Sequence, residues 1–166
     1  MARRMVGRAA IVASFVLAVS IITPAAADRT DEELKFSVLD KNADDPVNNT
    51  LIDVGTEGFS VGDYFVIGAD PVFRPDGVRE VGLVTGDCLV VQINAQTFAV
   101  ALECDATFVL QGRSLTVEGP VAVAPTGEES GRLAITGGTN RFKSASGEVE
   151  LRAVEGGLLF SFHVLL

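Results

Sequence analysis

Residues Gly131-Arg132-Leu133-Ala134-Ile135-Thr136-Gly137-Gly138-Thr139-Asn140-Arg141-Phe142-Lys143-Ser144-Ala145-Ser146-Gly147-Glu148-Val149-Glu150-Leu151 decide how this chain folds. A short strand reads into a tight turn at Gly137-Gly138, a polar loop carrying Phe142 follows, and Gly147 launches a second strand. Glycine reaches positive φ without a Cβ clash, so it marks sharp changes of direction. Beyond Gly147 the pattern has period two: Val149, Leu151 and Ala153 share one face, and Glu148, Glu150 and Arg152 share the other. The glycines do not make a phosphate loop, because no Gly-x-Gly-x-x-Gly opens a helix and no Gly-Lys-Ser/Thr is present.

The same alternation extends outward in both directions. Strands are expected at 34–39, 51–54, 61–68, 79–84, 88–93, 97–110, 113–118 and 121–124, around Leu133 and Ile135, after Gly147, and at 158–166. Breaks are expected at Ala69–Val78, Thr85-Gly86-Asp87, Gln111-Gly112, Gly119-Pro120 and Gly156-Gly157. No stretch after the leader sustains a helical stripe for three turns. Eight to ten short strands joined by short links describe an all-β meander, and closing it into a barrel removes its exposed edges. Several strands are apolar on both faces, which in a barrel means a packed or ligand-lined lumen and an outer face covered by another subunit.

Arg3, Arg4 and Arg8 precede an apolar run from Ala9 to Ile22 and a small-residue site at Ala25-Ala26-Ala27. Residues 1–27 therefore read as a secretory signal peptide, leaving residues 28–166 as a single β-barrel domain, secreted and free of the membrane after cleavage. All 22 acidic residues and 10 of the 13 basic ones fall in that part, a net charge of −12. Such a surface repels phosphates, so nucleic acid is excluded as a partner. Asn48-Asn49-Thr50 matches the N-glycosylation pattern and marks a surface loop. In an exported chain Cys88 and Cys104 most simply form a disulfide tying the open ends of a hairpin; the rival is a free thiol, with no adjacent histidine to activate it. Two cysteines and one histidine supply too few ligands for a structural zinc site, so no metal is expected. His163 has no nucleophile elbow near it in sequence, which argues against a hydrolase triad and for a surface or oligomer contact.

The stretch Leu133–Gly147, with its Gly-Gly-Thr-Asn, an aromatic and Ala-Ser-Gly, resembles the signature of the dirigent and allene oxide cyclase barrel superfamily. Gly62-Asp63-Tyr64-Phe65-Val66 is similar to that family's Gly-Asp-x-Phe-Val, and the segments around Cys88 and Cys104 are similar to the paired cysteine strands of its exported actinobacterial members. The resemblance implies an antiparallel eight-stranded meander β-barrel, dimeric or trimeric. It also implies cyclisation or stereochemical guidance of a small hydrophobic molecule without cofactors. Two positions depart from the pattern: Asn140 stands where a third glycine is usual, and Ser146 where arginine is usual. Asparagine accepts left-handed backbone, so the turn can persist; the missing arginine takes with it any ion pair or substrate contact it makes in relatives.

Residues 97–110 offer two parities. Phe98, Val100, Leu102, Cys104, Ala106, Phe108 and Leu110 form a core face. Ala99, Ala101, Glu103, Asp105, Thr107 and Val109 form either a solvent face or the small-lined wall of a cavity. On the cavity reading Glu103 is the expected acid or base, with Asp105 and Tyr64 as further catalytic groups and Arg74, Phe65, Ala99 and Ala101 against the ligand. Cys88, Cys104, Gly137, Gly138, Phe142 and Gly147 are expected to be structural. The expected function is a cofactor-independent isomerase or cyclase. The alternatives are a non-catalytic barrel for a small hydrophobic ligand and a structural oligomer. A cavity with convergent polar groups favours the first, a purely apolar one the second, and a solid core the third.

Overall fold

The period-two pattern is realised as strand almost throughout the computed structural model, which describes residues 32–41, 43, 49–55 and 57–166. The signal peptide expected at 1–27, residues 28–31 of the polar tail and the acceptor Asn48 lie outside the described residues. The elements are β1 (Glu33–Asp40), β2 (Asn49–Ile52), β3 (Tyr64–Phe73), β4 (Glu80–Ile93), β5 (Val100–Leu110), β6 (Arg113–Val123), β7 (Glu129–Gly138), a 3₁₀ turn (Asn140–Phe142), β8 (Ser146–Val154) and β9 (Gly157–Leu165).

Each strand pairs antiparallel with its successor from β2 to β9, and β9 pairs with β1 over eight residue pairs from Glu33↔Leu165 to Asp40↔Leu158. The ring closes where Leu39 and Asp40 of β1 meet Phe73 and Val72 of β3. Eight strands thus make the expected closed meander barrel. The short β2 takes over the edge of β3 from Ile67 to Tyr64, where β1 no longer reaches.

Three expected breaks are absorbed into longer strands. Thr85-Gly86-Asp87 lies inside β4, Gly119-Pro120 inside β6, and Ala69–Phe73 continues β3 instead of turning. Glycine and proline are accommodated inside these strands; Pro71 sits beside a register shift between Ile67 and Asp70. The first part of the 97–110 region is a turn. Asn94 Oδ1 accepts the amides of Gln96 and Thr97, and Phe98, assigned above to the core face, has φ 60° and is 73% exposed. The disulfide joins the register partners Cys88 and Cys104 in mid-strand, not at the hairpin's open ends.

The inner faces fill one half of the barrel. Phe108 packs edge-on against Phe160 and Phe162 with centroids 5.0 Å apart in each case, and Leu115, Val72, Val84, Val149 and Val164 are fully buried. Phe142, carried by the 3₁₀ turn, is buried in this core cluster with Ala145. Its approach depends on Gly138, where a Cβ would lie 2.3 Å from the Ser114 carbonyl and 2.7 Å from Phe142 Cβ. Asn140 holds φ 55°, the left-handed geometry the turn needs, and its amide donates to the Gly112 carbonyl at 3.3 Å. At Gly147, φ is 125° and a Cβ would lie 2.0 Å from the His163 carbonyl. Replacing Gly147 by alanine is therefore expected to cost more than about 1 kcal/mol, a Tm loss of about 3 °C or more by calorimetry.

Candidate functional site

The other half of the barrel is hollow. On β5, Val100, Leu102, Cys104 and Ala106 alternate inward and face Val117 and Val121 of β6, Leu133 of β7, Leu151 of β8, and Phe65 and Ile67 of β3 across a cavity of about 220 Å³. Phe160 also lines it, and the disulfide forms part of the wall. An apolar cavity of about 150 Å³ can hold benzene, so this one takes a body somewhat larger than a single ring.

A second set of side chains lines the same cavity. Asp40, Asn49, Asp70 and Glu129 all reach it, and no basic side chain does so among the described residues. Asp40 and Asp70 are buried, Asp70 completely. Asn49 Nδ2 donates to Asp70 Oδ2 at 3.0 Å and to the Ala43 carbonyl at 2.8 Å. Asp70 Oδ1 is buried with no hydrogen-bond partner among the described residues. Asp70 reaches the lumen through the register shift in β3. Phe65 and Ile67 point inward, and the irregularity before Asp70 turns the parity so that Asp70 and Val72 point inward after it. Reading Ala69–Val78 as a turn conceals this residue; the sequence clue is Gly68, a glycine inside an apolar strand and therefore a bulge marker.

The loop from β2 to β3 covers part of the opening. Its Phe59 lines the cavity and packs on Phe65 with centroids 5.6 Å apart. The buried carboxylate of Asp63 organises this loop. Oδ1 accepts the Val54 amide at 2.8 Å, and Oδ2 accepts the Ser60 amide at 2.6 Å. The backbone of Gly62 and Asp63 also bonds with Val90 on β4, at 2.9 Å in each direction.

Of the residues expected to act in the lumen, only Phe65 lines it. Glu103, Asp105 and Tyr64 are exposed on the outer side. The cavity reading of their parity is thus corrected to the solvent face, because the opposite parity of β5 carries the apolar wall. Ala99 and Ala101 are half-buried outside the cavity, and Arg74 is exposed in the β3–β4 connection. Cys88 and Cys104 do line it. Ser146 is exposed, and Arg141, the nearby alternative to the missing arginine, pairs with Glu32 on the surface. His163 Nε2 lies 2.8 Å from Glu33 Oε1, on the outer side of the β1–β9 pair.

The hydrogen bonds from the Val54 and Ser60 amides hold the Asp63 carboxyl below its usual range, against the opposing effect of burial. A lowered folded-state pKa contributes stability that is present above the unfolded value of about 3.9 and is lost as pH falls through the folded value. Asp63→Asn is expected to have a lower Tm than the wild type at pH 7, with the gap narrowing below about pH 4. Hydrogen exchange at the Val54 and Ser60 amides should rise in the variant at neutral pH and in the wild type only in acid.

The barrel is similar in fold to several solved structures. Pyocyanin demethylase aligns with TM-score 0.58 at 19% identity, covering 80% of this chain and 99% of that one. A pterocarpan synthase dirigent protein aligns with TM-score 0.54 at 16% identity, covering 81% and 82%. A Diels–Alderase from Streptomyces koyangensis aligns with TM-score 0.55 at 15% identity, covering 84% and 70%. No curated protein matches the sequence. The description "Allene oxide cyclase barrel like domain" matches residues 38–166, from the buried end of β1 to the last residue, and by that match the chain belongs to the allene oxide cyclase-like barrel family.

Proposed function

We propose that this protein is a cofactor-independent isomerase or cyclase that holds a small, largely apolar substrate in the barrel lumen and folds it for reaction. The observation that carries this reading is a hollow half-barrel, apolar over most of its wall, with carboxylates along one part of it. The apolar wall excludes water and restricts a flexible substrate to few conformations, which removes orientational entropy before the chemical step. A carboxylate in that setting can take or return a proton. With Glu103, Asp105 and Tyr64 on the outside, that role passes to the lumen acids, Asp70 foremost. The fold's other occupants lend support by analogy: solved relatives of the barrel carry the names of a demethylase, a dirigent protein and a Diels–Alderase.

The same reading takes the protein as exported, in keeping with its disulfide. It also takes it as a homo-oligomer, whose contacts would cover outer apolar side chains such as Leu51, Ile52 and Val54. Non-catalytic binding is the second reading, favoured by the long apolar wall contributed by Leu102, Val117, Val121 and Leu133.

Val121 is buried and lines the cavity, so Val121→Phe fills space the substrate needs. Incubation of the purified protein with a metabolite extract of the producing organism, followed by mass spectrometry, should yield a product that depends on the wild type and is lost in Val121→Phe. Because the larger ring enters a cavity, Tm is expected to stay within about 5 °C. Uptake of a compound without conversion would favour the binding reading, and no uptake would sink both.

A further inference from the structure

Among the described residues Asp70 is the one fully buried lumen carboxylate, and half of its hydrogen-bonding capacity is unused. Oδ2 accepts the Asn49 amide at 3.0 Å, while Oδ1 is buried without a partner among the described residues. A buried carboxylate oxygen left in this state is costly. Folds keep such groups where something else completes them. The surroundings indicate the chemistry of that missing partner. Asp40 and Glu129 line the same cavity, and no lysine, arginine or histidine does so among the described residues. A donor carrying positive charge would both fill the open Asp70 oxygen and offset the burial of that carboxylate, whereas an anionic ligand would do neither. A metal ion fits less well, because no group of three or more His, Cys, Asp or Glu side chains placed to hold one occurs among the described residues.

We infer that the lumen selects an amphipathic organic molecule with a compact apolar body and a cationic nitrogen donor at one end, the donor seated on Asp70 Oδ1 and the body against Leu102, Val117 and Val121. This rests on the lumen reading above and narrows its substrate class. The cavity's size limits the body to little more than one ring, so the donor is a large part of the recognition. Asn49 positions the carboxylate by holding Oδ2, leaving Oδ1 for the ligand.

The test compares four probes with similar apolar bodies at neutral pH by calorimetry or ligand-observed NMR: benzylamine in its protonated form, benzyl alcohol, acetophenone and toluene. The wild type is expected to bind benzylammonium about tenfold or more tighter than toluene, with benzyl alcohol between them. Asp70→Asn should abolish that preference and leave toluene within about twofold of its wild-type affinity. The wild-type ranking stands as a test even if Asp70→Asn does not fold. Equal affinity for benzylammonium and toluene would overturn the inference, as would a preference that survives in Asp70→Asn. Tighter binding of acetophenone than of benzylammonium would also overturn it, because the site would then favour an acceptor over a cationic donor. If toluene fails to bind while benzylammonium binds, the apolar-lumen reading fails and the Asp70 site stands. If none of the four binds, both fall.

Discussion

Ring closure is the constraint on which the rest of this structure depends. Every inner strand satisfies its backbone groups through two neighbours, but β1 and β3 would be bare edges in an open sheet. Two register pairs, Leu39↔Phe73 and Asp40↔Val72, join them. Because β1 ends at Asp40, β2 takes up the rest of the edge of β3, and the stretch between the two pairings is where Asp70 and Asn49 meet. The polar part of the lumen is thus a product of how the ring is closed.

The barrel divides its interior between two tasks. One half is filled by Phe108, Phe160, Phe162 and the plug residue Phe142, and it resembles any well-packed core. The other half gives up that packing to leave a cavity. Side chains there, such as Leu102 and Val121, are buried by the wall yet keep one side open to whatever occupies the space. The Cys88–Cys104 bridge belongs to this second half. It fixes β4 to β5 in mid-strand, at the level where packing across the lumen is missing.

Most of the architecture is legible in the sequence because it rests on local rules. Alternation in 149–153 and in 100–110, the glycines at 138 and 147, and asparagine at 140 each have a direct geometric counterpart. What escapes the sequence is whether a glycine or proline ends a strand or only bends it. Gly86 and Pro120 lie within β4 and β6 without ending them, since pairing with β5 continues through both positions. The site was less legible for a related reason. Glu103 stands out in sequence because it interrupts small apolar residues, yet the choice of lumen face on β5 is made by the larger side chains of the opposite parity. Asp70 looks like a turn residue beside proline. Its inward aim depends on a register shift that strict alternation cannot anticipate.

The bulge in β3 also bears on how such a lumen can change over generations. Phe65 and Ile67 face inward before it, and Asp70 and Val72 after it. Deleting one residue from 68–69 would remove the bulge and leave both flanks facing inward, because plain alternation would then carry Ile67 and Asp70 to the same face; straightening the strand at its present length would instead turn one flank outward. The extra residue is therefore absorbed by the bulge, which keeps both the aromatic wall and the carboxylate in the lumen. A lumen built this way tolerates a one-residue change of length at this point better than it tolerates loss of the bulge at constant length.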